Sequence, residues 1–234
     1  LFYRLGDFYE MFFDDALLAS RILDIALTGK ACGLEERAPM CGVPYHSASS
    51  YLTRLVETGY KVAIGEQVED PATAKGLVKR EVVKIVTPGT LLEDDSLKKT
   101  SNNYLMAIYC QGQDASIAYV DISTGELNTS LISLDGVNAS ILDLDKVKNE
   151  VAKILPREIL SNSPDLLGSL ASLSDMANIY LNEDFDISLL DKTVIYDRFE
   201  PAYLDKLGLD KDNLILYSLA IILNYISKTQ MMNE

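Results

Sequence analysis

The chain has 234 residues, 48% of them hydrophobic, and a formal net charge of −14. This composition excludes a disordered chain, and the length allows two domains of ordinary size, each with its own core. The longest apolar stretch, residues 214–226, is too short and too interrupted to cross a bilayer, and the sequence does not open on a basic-then-apolar leader, so we expect a cytoplasmic protein without a membrane partner.

The acidic charge is distributed unevenly along the chain. Residues 1–90 hold 10 Lys and Arg against 12 Asp and Glu, a net charge of −2, whereas residues 91–234 hold 11 against 23, a net charge of −12. The first part can therefore approach phosphates, while the second part should be repelled by them. The three cysteines form no C-x-x-C pair and His46 is the single histidine, which argues against a disulfide framework and against a zinc site.

The first dozen residues predict a β-hairpin, in which a tight turn at Gly6 and Asp7 joins two short strands. Phe8 and Glu10 lie two positions apart on the return strand, so they share one face, together with Phe12. The opposite face carries other aromatic and apolar residues that can supply a core side. An aromatic ring beside a carboxylate at a hairpin tip suits the probing of a weakly stacked base pair.

The rest of the first ninety residues predicts alternating helices and strands, which indicates an α/β or α+β domain. The predicted elements, in chain order, are a helix capped by Asp14 or Asp15 with Leu18, Ile22 and Ile25 on its apolar face, a strand and loop from Thr28, a loop over Gly42–Ser47, a helix capped by Ser47 or Ser49 with Leu52, Leu55 and Val56 as its apolar face and Gly59 at its end, a strand over Lys61–Val68, a short helix from Asp70 to Gly76, and a strand over Val82–Val86.

The polar stretch 93–103 is the best candidate for a linker between two domains. Three strands in a row, then helix, strand and helix, is the order of a ribonuclease-H-like fold. The elements predicted after the linker are strands at 104–109, 116–122 and 126–133, a helix near 142–155, a short strand at 157–160, a helix from Pro164, a strand at Thr193–Tyr196, and a packed helix at 214–228.

The segment Gly6–Phe12 resembles the Phe-x-Glu signature of the mismatch-recognition domain of the MutS family of DNA mismatch repair proteins. Residues 40–46 and 70–90 also match the pattern of that domain. Over residues 101–234 the resemblance is carried by the order of elements and by the hairpin at 121–125. It implies a mixed-sheet mismatch-recognition domain at 1–92, a linker at 93–103, and a ribonuclease-H-like connector domain at 104–234.

The resemblance implies roles for two residues of the hairpin. Phe8 would enter the minor groove and stack on a mispaired or unpaired base, and Glu10 would form a hydrogen bond to that base. The periodicity alone favours a plainer interpretation, in which Phe8 is a core side chain and Glu10 is solvated, because most aromatic residues in strands are packed. MutS-like proteins specialised away from mismatch repair generally lack this pair.

A basic cluster follows at the end of the first domain, comprising Lys75, Lys79, Arg80 and Lys84. Lysine is common on solvated strand edges, so charge alone does not decide what the cluster does. The resemblance favours contact with DNA phosphates, which would position the hairpin without reading sequence. For the loop at 40–46 a structural role is favoured, although Tyr45 and His46 could approach the DNA backbone.

Two other classes of function stay open on the sequence. A metal-dependent nuclease of the ribonuclease-H type needs clustered carboxylates, but the first predicted strand of the second domain contains none and Asp121 is better explained as a turn or capping residue. An interaction module without a DNA role would also suit the acidic second part. We expect no catalytic or metal site in the chain.

The family resemblance also carries expectations for the longer protein. The sequence starts inside a predicted strand and without Met, so we expect a fragment. It contains no G-x-x-x-x-G-K-[ST] loop, and the one Gly29-Lys30 pair is followed by Ala, so we expect no ATP hydrolysis and no cofactor here. In the full-length protein, the resemblance implies ATP and Mg, a homodimer, and recruitment of a MutL-type partner through the connector.

Overall fold

The computed structural model describes residues 1–33, 35–69, 78–92, 102–132, 144–209 and 213–231. The chain divides into two compact units, Leu1–Ser96 with Thr229–Glu234, and Leu97–Lys228. Each unit contains one mixed sheet with helices, so the predicted α/β class is confirmed. The predicted domain bounds, 1–92 and 104–234, stay a prediction, and the proposed linker at 93–103 falls mostly outside the described residues.

A six-stranded sheet and two α-helices form the described part of the first unit. Its strands run in the order β3-β4-β2-β1-β5-β6, with β1 and β5 parallel and the other neighbours antiparallel. A short 3-10 turn, Tyr45–Ser47, precedes the second helix. The elements are β1 (Phe2–Leu5), β2 (Phe8–Phe12), α1 (Phe13–Leu23), β3 (Thr28–Lys30), β4 (Ala38–Pro44), α2 (Ala48–Glu57), β5 (Val62–Gln67) and β6 (Arg80–Val86).

Both helices pack against one face of this sheet, which we call the inner face. Alternation along the strands turns apolar side chains toward α1 and α2. The strand residues of this core are Phe2, Met11, Cys41, Val43, Val62, Ile64 and Val86. Arg54 of α2 joins the two helices, because its guanidinium donates to the carbonyl oxygens of Leu23 at 3.0 Å and Ile22 at 2.9 Å. These bonds satisfy carbonyl groups that the end of α1 leaves unpaired.

Several local predictions for the first unit were wrong. Neither Asp14 nor Asp15 caps α1, since the N-cap residue is Phe12 and both carboxylates lie in the first helical turn. Ser47 occupies the N-cap position of α2, but its hydroxyl donates to the carbonyl of Pro44 and makes no cap bond. The apolar face predicted for α1 is confirmed in part, because Ile22 and Ile25 are partly buried and pack against the core, although Ile25 follows the helix. Leu18 is partly buried, and the fully buried residues of α1 are Ala16, Ala19 and Leu23.

Two more predictions of this unit concern Gly and Pro residues. Gly42 and Pro44 belong to β4 and not to a loop, because β4 pairs along that stretch with β2. Gly59 has a φ of +87° just after α2, as expected for a residue that ends a helix. The short helix predicted between Asp70 and Gly76 lies outside the described residues.

The second unit has a five-stranded sheet in the order β11-β10-β7-β8-β9. The first three strands in sequence are antiparallel, and the last two run parallel to β7, so the predicted ribonuclease-H-like arrangement is confirmed. A 3-10 turn, Ile187–Leu190, follows the last strand. The elements are β7 (Tyr104–Gln111), β8 (Asp114–Asp121), β9 (Glu126–Ile132), α3 (Leu144–Ile154), β10 (Glu158–Ser161), α4 (Pro164–Ala177), β11 (Tyr180–Asn182), α5 (Thr193–Tyr196), α6 (Pro201–Lys206) and α7 (Ile215–Thr229).

Helices cover both faces of this second sheet. Leu105 and Ala107 of β7 face a core that includes α7, whereas Met106 and Ile108 face a core that includes α3 and α4. The packed helix predicted at 214–228 is therefore confirmed. The strand predicted at Thr193–Tyr196 is wrong, because that segment is helix α5. None of the helices in the described ranges has the length and apolar character of a membrane-spanning segment.

Candidate nucleic-acid interface

The hairpin tip projects Phe8 into solvent. Gly6 adopts a φ of +60°, a backbone conformation that residues with a side chain rarely adopt, and so lets the chain turn between β1 and β2 without strain. Phe8 is the first residue of β2, lies opposite Leu5 and Pro44, and is 47% exposed. The amide of Tyr45 donates to the carbonyl of Asp7 at 2.9 Å and ties the turn to the end of β4. Phe8 is therefore an exposed ring on an anchored tip.

Phe8, Glu10 and Phe12 lie on the sheet face opposite α1 and α2, which we call the outer face. The plainer interpretation had a buried Phe8 and a solvated Glu10, but the structure has the reverse. Phe8 is exposed, whereas the Glu10 side chain retains only 16% of its exposure. The outer face therefore presents an accessible aromatic ring two positions from a shielded carboxylate.

Glu10 is shielded because it forms an ion pair across the sheet. The Nζ atom of Lys30, on β3, lies 2.5 Å from Oε2 of Glu10. The same ammonium lies 5.5 Å from the centre of the Phe12 ring. Strand β4 separates β3 from β2, and the residue of β4 opposite Glu10 is Gly42. With no side chain at that position, the Lys30 ammonium and the carboxylate can meet above β4.

The inner side of the same strand carries a second polar cluster. The Tyr9 hydroxyl donates to the carboxylate of Glu66, on β5. Burial, together with that hydrogen bond, raises the pKa of Tyr9 to about 12. The guanidinium of Arg4 stacks on the ring of Tyr45, with its central carbon 3.7 Å from the ring centre, and also approaches Tyr9. These contacts fix the strand from which Phe8 and Glu10 project.

The four predicted basic residues have different surroundings. Lys75 lies outside the described residues. Lys79 is exposed and forms an ion pair with Glu81 at 2.5 Å, and its hydrogen bond to that carboxylate raises the pKa of Lys79. Lys84, on β6, is exposed, and among the described residues no ion pair includes it. These residues therefore do not all offer a free charge to a phosphate.

Arg80 forms hydrogen bonds within the protein, which limit what it can offer to a ligand. Its Nε donates to the carbonyl of Arg4 and one terminal nitrogen donates to the carbonyl of Val78, both at 2.8 Å. Its guanidinium carbon lies 5.5 Å from the centre of the Tyr3 ring. Arg80 thus links β6 to β1, next to the hairpin, and a phosphate would meet only the donors that these bonds leave over.

Lys30 is the residue of this surface that the sequence did not reveal as part of the site. Its place on a strand was predicted, but its proximity to Glu10 depends on the order β3-β4-β2. The two residues are 20 positions apart and not on neighbouring strands. The absence of a side chain at Gly42 was visible in the sequence, but it becomes informative only when the register with Glu10 is known.

Asp121 in the second unit occupies a turn. One carboxylate oxygen accepts from the amide and the hydroxyl of Ser123 at 2.9 and 2.6 Å, and the other accepts from the amide of Asn103 at 3.2 Å. Burial alone would raise the pKa of Asp121, but these hydrogen bonds outweigh it and lower the pKa below its usual 3.8. A carboxylate engaged in this way acts as a turn residue, so the nuclease interpretation is not favoured.

Comparison with known proteins identifies the two units. Residues 1–95 match the model of MutS domain I, and residues 103–233 match that of MutS domain II. The architecture is therefore that of the first two domains of a mismatch repair protein. The chain belongs to the MutS family.

Named relatives agree with this assignment. The chain is 55% identical to the DNA mismatch repair protein MutS of Clostridioides difficile strain 630, over 98% of the chain and 23% of that protein. It is 47% identical to the DNA mismatch repair protein MutS of Clostridium beijerinckii, over 100% of the chain and 24% of that protein. The chain thus spans about a quarter of the length of these relatives. A solved structure of YeaZ from Pseudomonas aeruginosa, at 14% identity and a TM-score of 0.29 over 41% of this chain and 50% of that one, is too distant to support an argument.

Proposed function

We propose that this chain recognises mispaired or unpaired bases in duplex DNA and so initiates DNA mismatch repair. Phe8 is the wedge that enters the minor groove, and Glu10 forms a hydrogen bond to the displaced base. The single observation that supports this most strongly is the exposure of Phe8, 47%, at the tip of an anchored hairpin. Membership of the MutS family supports the same conclusion.

A wedge of this kind reads how easily DNA deforms. Inserting an apolar side chain between base pairs unstacks a step, which costs about a few kcal/mol. A mismatched or bulged step is already poorly stacked, so the same insertion costs less there. Phe8 therefore selects damaged sites without recognising a base sequence. Glu10 adds selectivity, because a carboxylate near the groove repels the phosphates of perfect duplex.

The basic residues supply a contact with the backbone that does not depend on sequence. Lys84 and Lys79 are exposed, and Arg80 keeps part of its donor capacity. Lys75 belongs to the same stretch of sequence. Arg80→Ala should weaken binding to matched and mismatched duplex alike and reduce its dependence on salt concentration. An effect confined to mismatched duplex would show that Arg80 acts through the hairpin instead.

The second unit is proposed to act at a distance from DNA. Residues 91–234, which contain this unit, carry a net charge of −12, and this charge suits contact with proteins better than contact with phosphates. By analogy with the family, it would relay mismatch detection to an ATPase that uses ATP and Mg, and to a MutL-type partner, within a cytoplasmic homodimer. No catalytic step is assigned to the chain itself.

The decisive experiment compares binding of G·T, single-base-bulge and matched duplexes to the full-length protein. Phe8→Ala should abolish the preference for the first two, while Tyr60→Ala, which removes another exposed ring of the same unit, should retain it. If Phe8→Ala keeps the preference, the assignment fails.

A second measurement examines Glu10. If its carboxyl meets a purine N7, which is an acceptor, it must carry a proton, so binding takes up a proton. Calorimetry in buffers of different ionisation enthalpy should detect that uptake with wild type and not with Glu10→Gln. Equal uptake by the two proteins would reject this role.

A further inference from the structure

The ion pair between Lys30 and Glu10 places a competitor beside the proposed base contact. A carboxylate oxygen that accepts from the Lys30 ammonium at 2.5 Å is engaged before DNA arrives. The ammonium also lies over the Phe12 ring, two positions beyond Glu10 and away from Phe8. The carboxylate is therefore drawn toward Phe12 and β3, on the side opposite the hairpin tip.

The pair is built into the sheet and is not a chance surface contact. Glu10 lies opposite Gly42, and Lys30 lies opposite Ala38 on the same strand. A Cβ at position 42 would lie 3.6 Å from Cγ of Glu10 and 3.2 Å from the Tyr9 carbonyl oxygen. A side chain there would therefore press on the Tyr9 carbonyl oxygen and lie in contact with the Glu10 side chain. The glycine thus leaves room for the Glu10 side chain to lie against β4.

We propose that Lys30 is a positioning residue that tunes mismatch discrimination. It neutralises Glu10 until a displaced base replaces Lys30 as the partner of that carboxyl group. The inference rests on the proposed function of Phe8 and Glu10. On matched duplex no displaced base is available, so Glu10 stays paired and its repulsion of the groove phosphates is muted. At a mismatch the carboxylate exchanges Lys30 for the base, and the released ammonium faces the negative potential of the minor groove.

Removing the ammonium should therefore increase discrimination. Lys30→Met leaves Glu10 as an unpaired charge that faces matched duplex, so matched binding weakens most. At a mismatch, the contact between Glu10 and the displaced base replaces the ion pair that Lys30→Met removes, so binding to mismatched duplex weakens less. We expect the ratio of matched to mismatched Kd to rise about threefold, the size of effect typical of a partly exposed ion pair. Lys30→Arg keeps a cation within reach of Glu10 and should keep the wild-type ratio.

The test is a double-mutant cycle on the full-length protein, with G·T and matched duplexes. In a Glu10→Gln background, Lys30→Met should change both affinities equally, because there is no charge left to neutralise. The matched control is Lys153→Met, which breaks a comparable ion pair with Glu150, 2.6 Å long, on α3 of the second unit and should leave the ratio unchanged. Urea unfolding of each variant verifies that it is folded.

The outcomes separate this inference from the proposed function. If Phe8→Ala abolishes discrimination but Lys30→Met leaves the ratio unchanged or lowers it, the proposed function stands and the role of Lys30 is rejected. If Lys30→Met raises the ratio equally in the wild-type and Glu10→Gln backgrounds, Lys30 acts independently of the carboxylate and the inference is again rejected. If Phe8→Ala keeps the preference, the proposed function itself fails.

Discussion

Replacing Tyr9 by Phe tests how much the Tyr9 hydroxyl, which bonds to Glu66 on the inner side of the sheet, stabilises the hairpin. The substitution keeps the ring, which packs 5.7 Å from that of Phe2 and lies beneath Arg4. It removes the hydrogen bond to the carboxylate of Glu66 and the weaker interaction of the hydroxyl with Arg4. Because both partners are partly buried, the free energy of unfolding should fall by about 1–2 kcal/mol, below the upper range for bonds to charged groups.

Urea unfolding measures this loss directly. With a slope of about 2 kcal/mol per molar urea, the midpoint of the first unit should shift down by about 0.5–1 M. Tyr60→Phe is the matched control, since it makes the same chemical change on an exposed ring of the same unit and should leave the midpoint unchanged. Equal midpoints for the two variants would refute the idea that the Tyr9 hydroxyl stabilises the sheet.

The raised pKa of Tyr9 allows a second, independent test of the environment of its hydroxyl. Its value of about 12, against an ordinary 10.0, means that the folded protein holds the phenolic proton more tightly than the unfolded chain. The contribution to stability is therefore complete below pH 10 and is lost as the pH rises through 12. The difference between the tyrosinate titrations of wild type and Tyr9→Phe should show a midpoint near 12, and a midpoint near 10 would contradict the burial argument.

Four further substitutions have defined outcomes. Gly42→Ala places a methyl group 3.2 Å from a backbone oxygen and should lower the free energy of unfolding by up to about 1 kcal/mol, whereas Gly168→Ala, in open space on α4, should raise it by about 1 kcal/mol. Asp121→Asn turns an amide toward the N–H of Asn103 and should lower the free energy of unfolding by about 1–2 kcal/mol. Because the pKa of Asp121 is lowered in the folded protein, this difference from wild type is present above pH 3.8 and is lost as the pH falls below 3.8 through the folded-state pKa. Arg54→Lys loses the two-pronged contact with the end of α1 and should cost about 1–2 kcal/mol in urea unfolding, an outcome that a wild-type midpoint would contradict.

Patterns confined to neighbouring residues predicted most of the fold. The turn at Gly6, the alternation in β2 and the apolar helix α7 all follow from local spacing. The segment Thr193–Tyr196 misled because its branched and aromatic residues favour strands. In the structure the carboxylate of Asp191 accepts from the Thr193 amide at 3.0 Å, and Val194 and Ile195 are buried in a helical turn. Tertiary packing there overrides intrinsic preference.

Local spacing along the sequence also predicted part of the candidate site. Phe8 and Glu10 are two residues apart, so their common face follows from strand geometry alone. Predicting the contact of Lys30 with Glu10 requires the order of three strands. Gly42 resembles a turn residue until β4 is known to pair with β2 at Glu10. The engagement of Arg80 with the carbonyl of Arg4, 76 positions away, likewise depends on how β6 and β1 lie in the sheet.

Adjacent residues of β2 face opposite sides of the sheet, so we expect one set to determine stability and the other to determine discrimination. Substitutions on this one strand can test that separation. Tyr9 and Met11 face the helices and should govern stability, whereas Phe8 and Glu10 face outward and should govern discrimination. Phe8→Ala, at an exposed position, should change the free energy of unfolding by less than about 1 kcal/mol while it removes the preference for mismatched duplex. Tyr9→Phe should do the opposite, with a lower urea midpoint and an unchanged ratio of matched to mismatched Kd. If both variants alter stability and discrimination together, the two faces are not separable, and the loss of preference in Phe8→Ala reflects a damaged sheet.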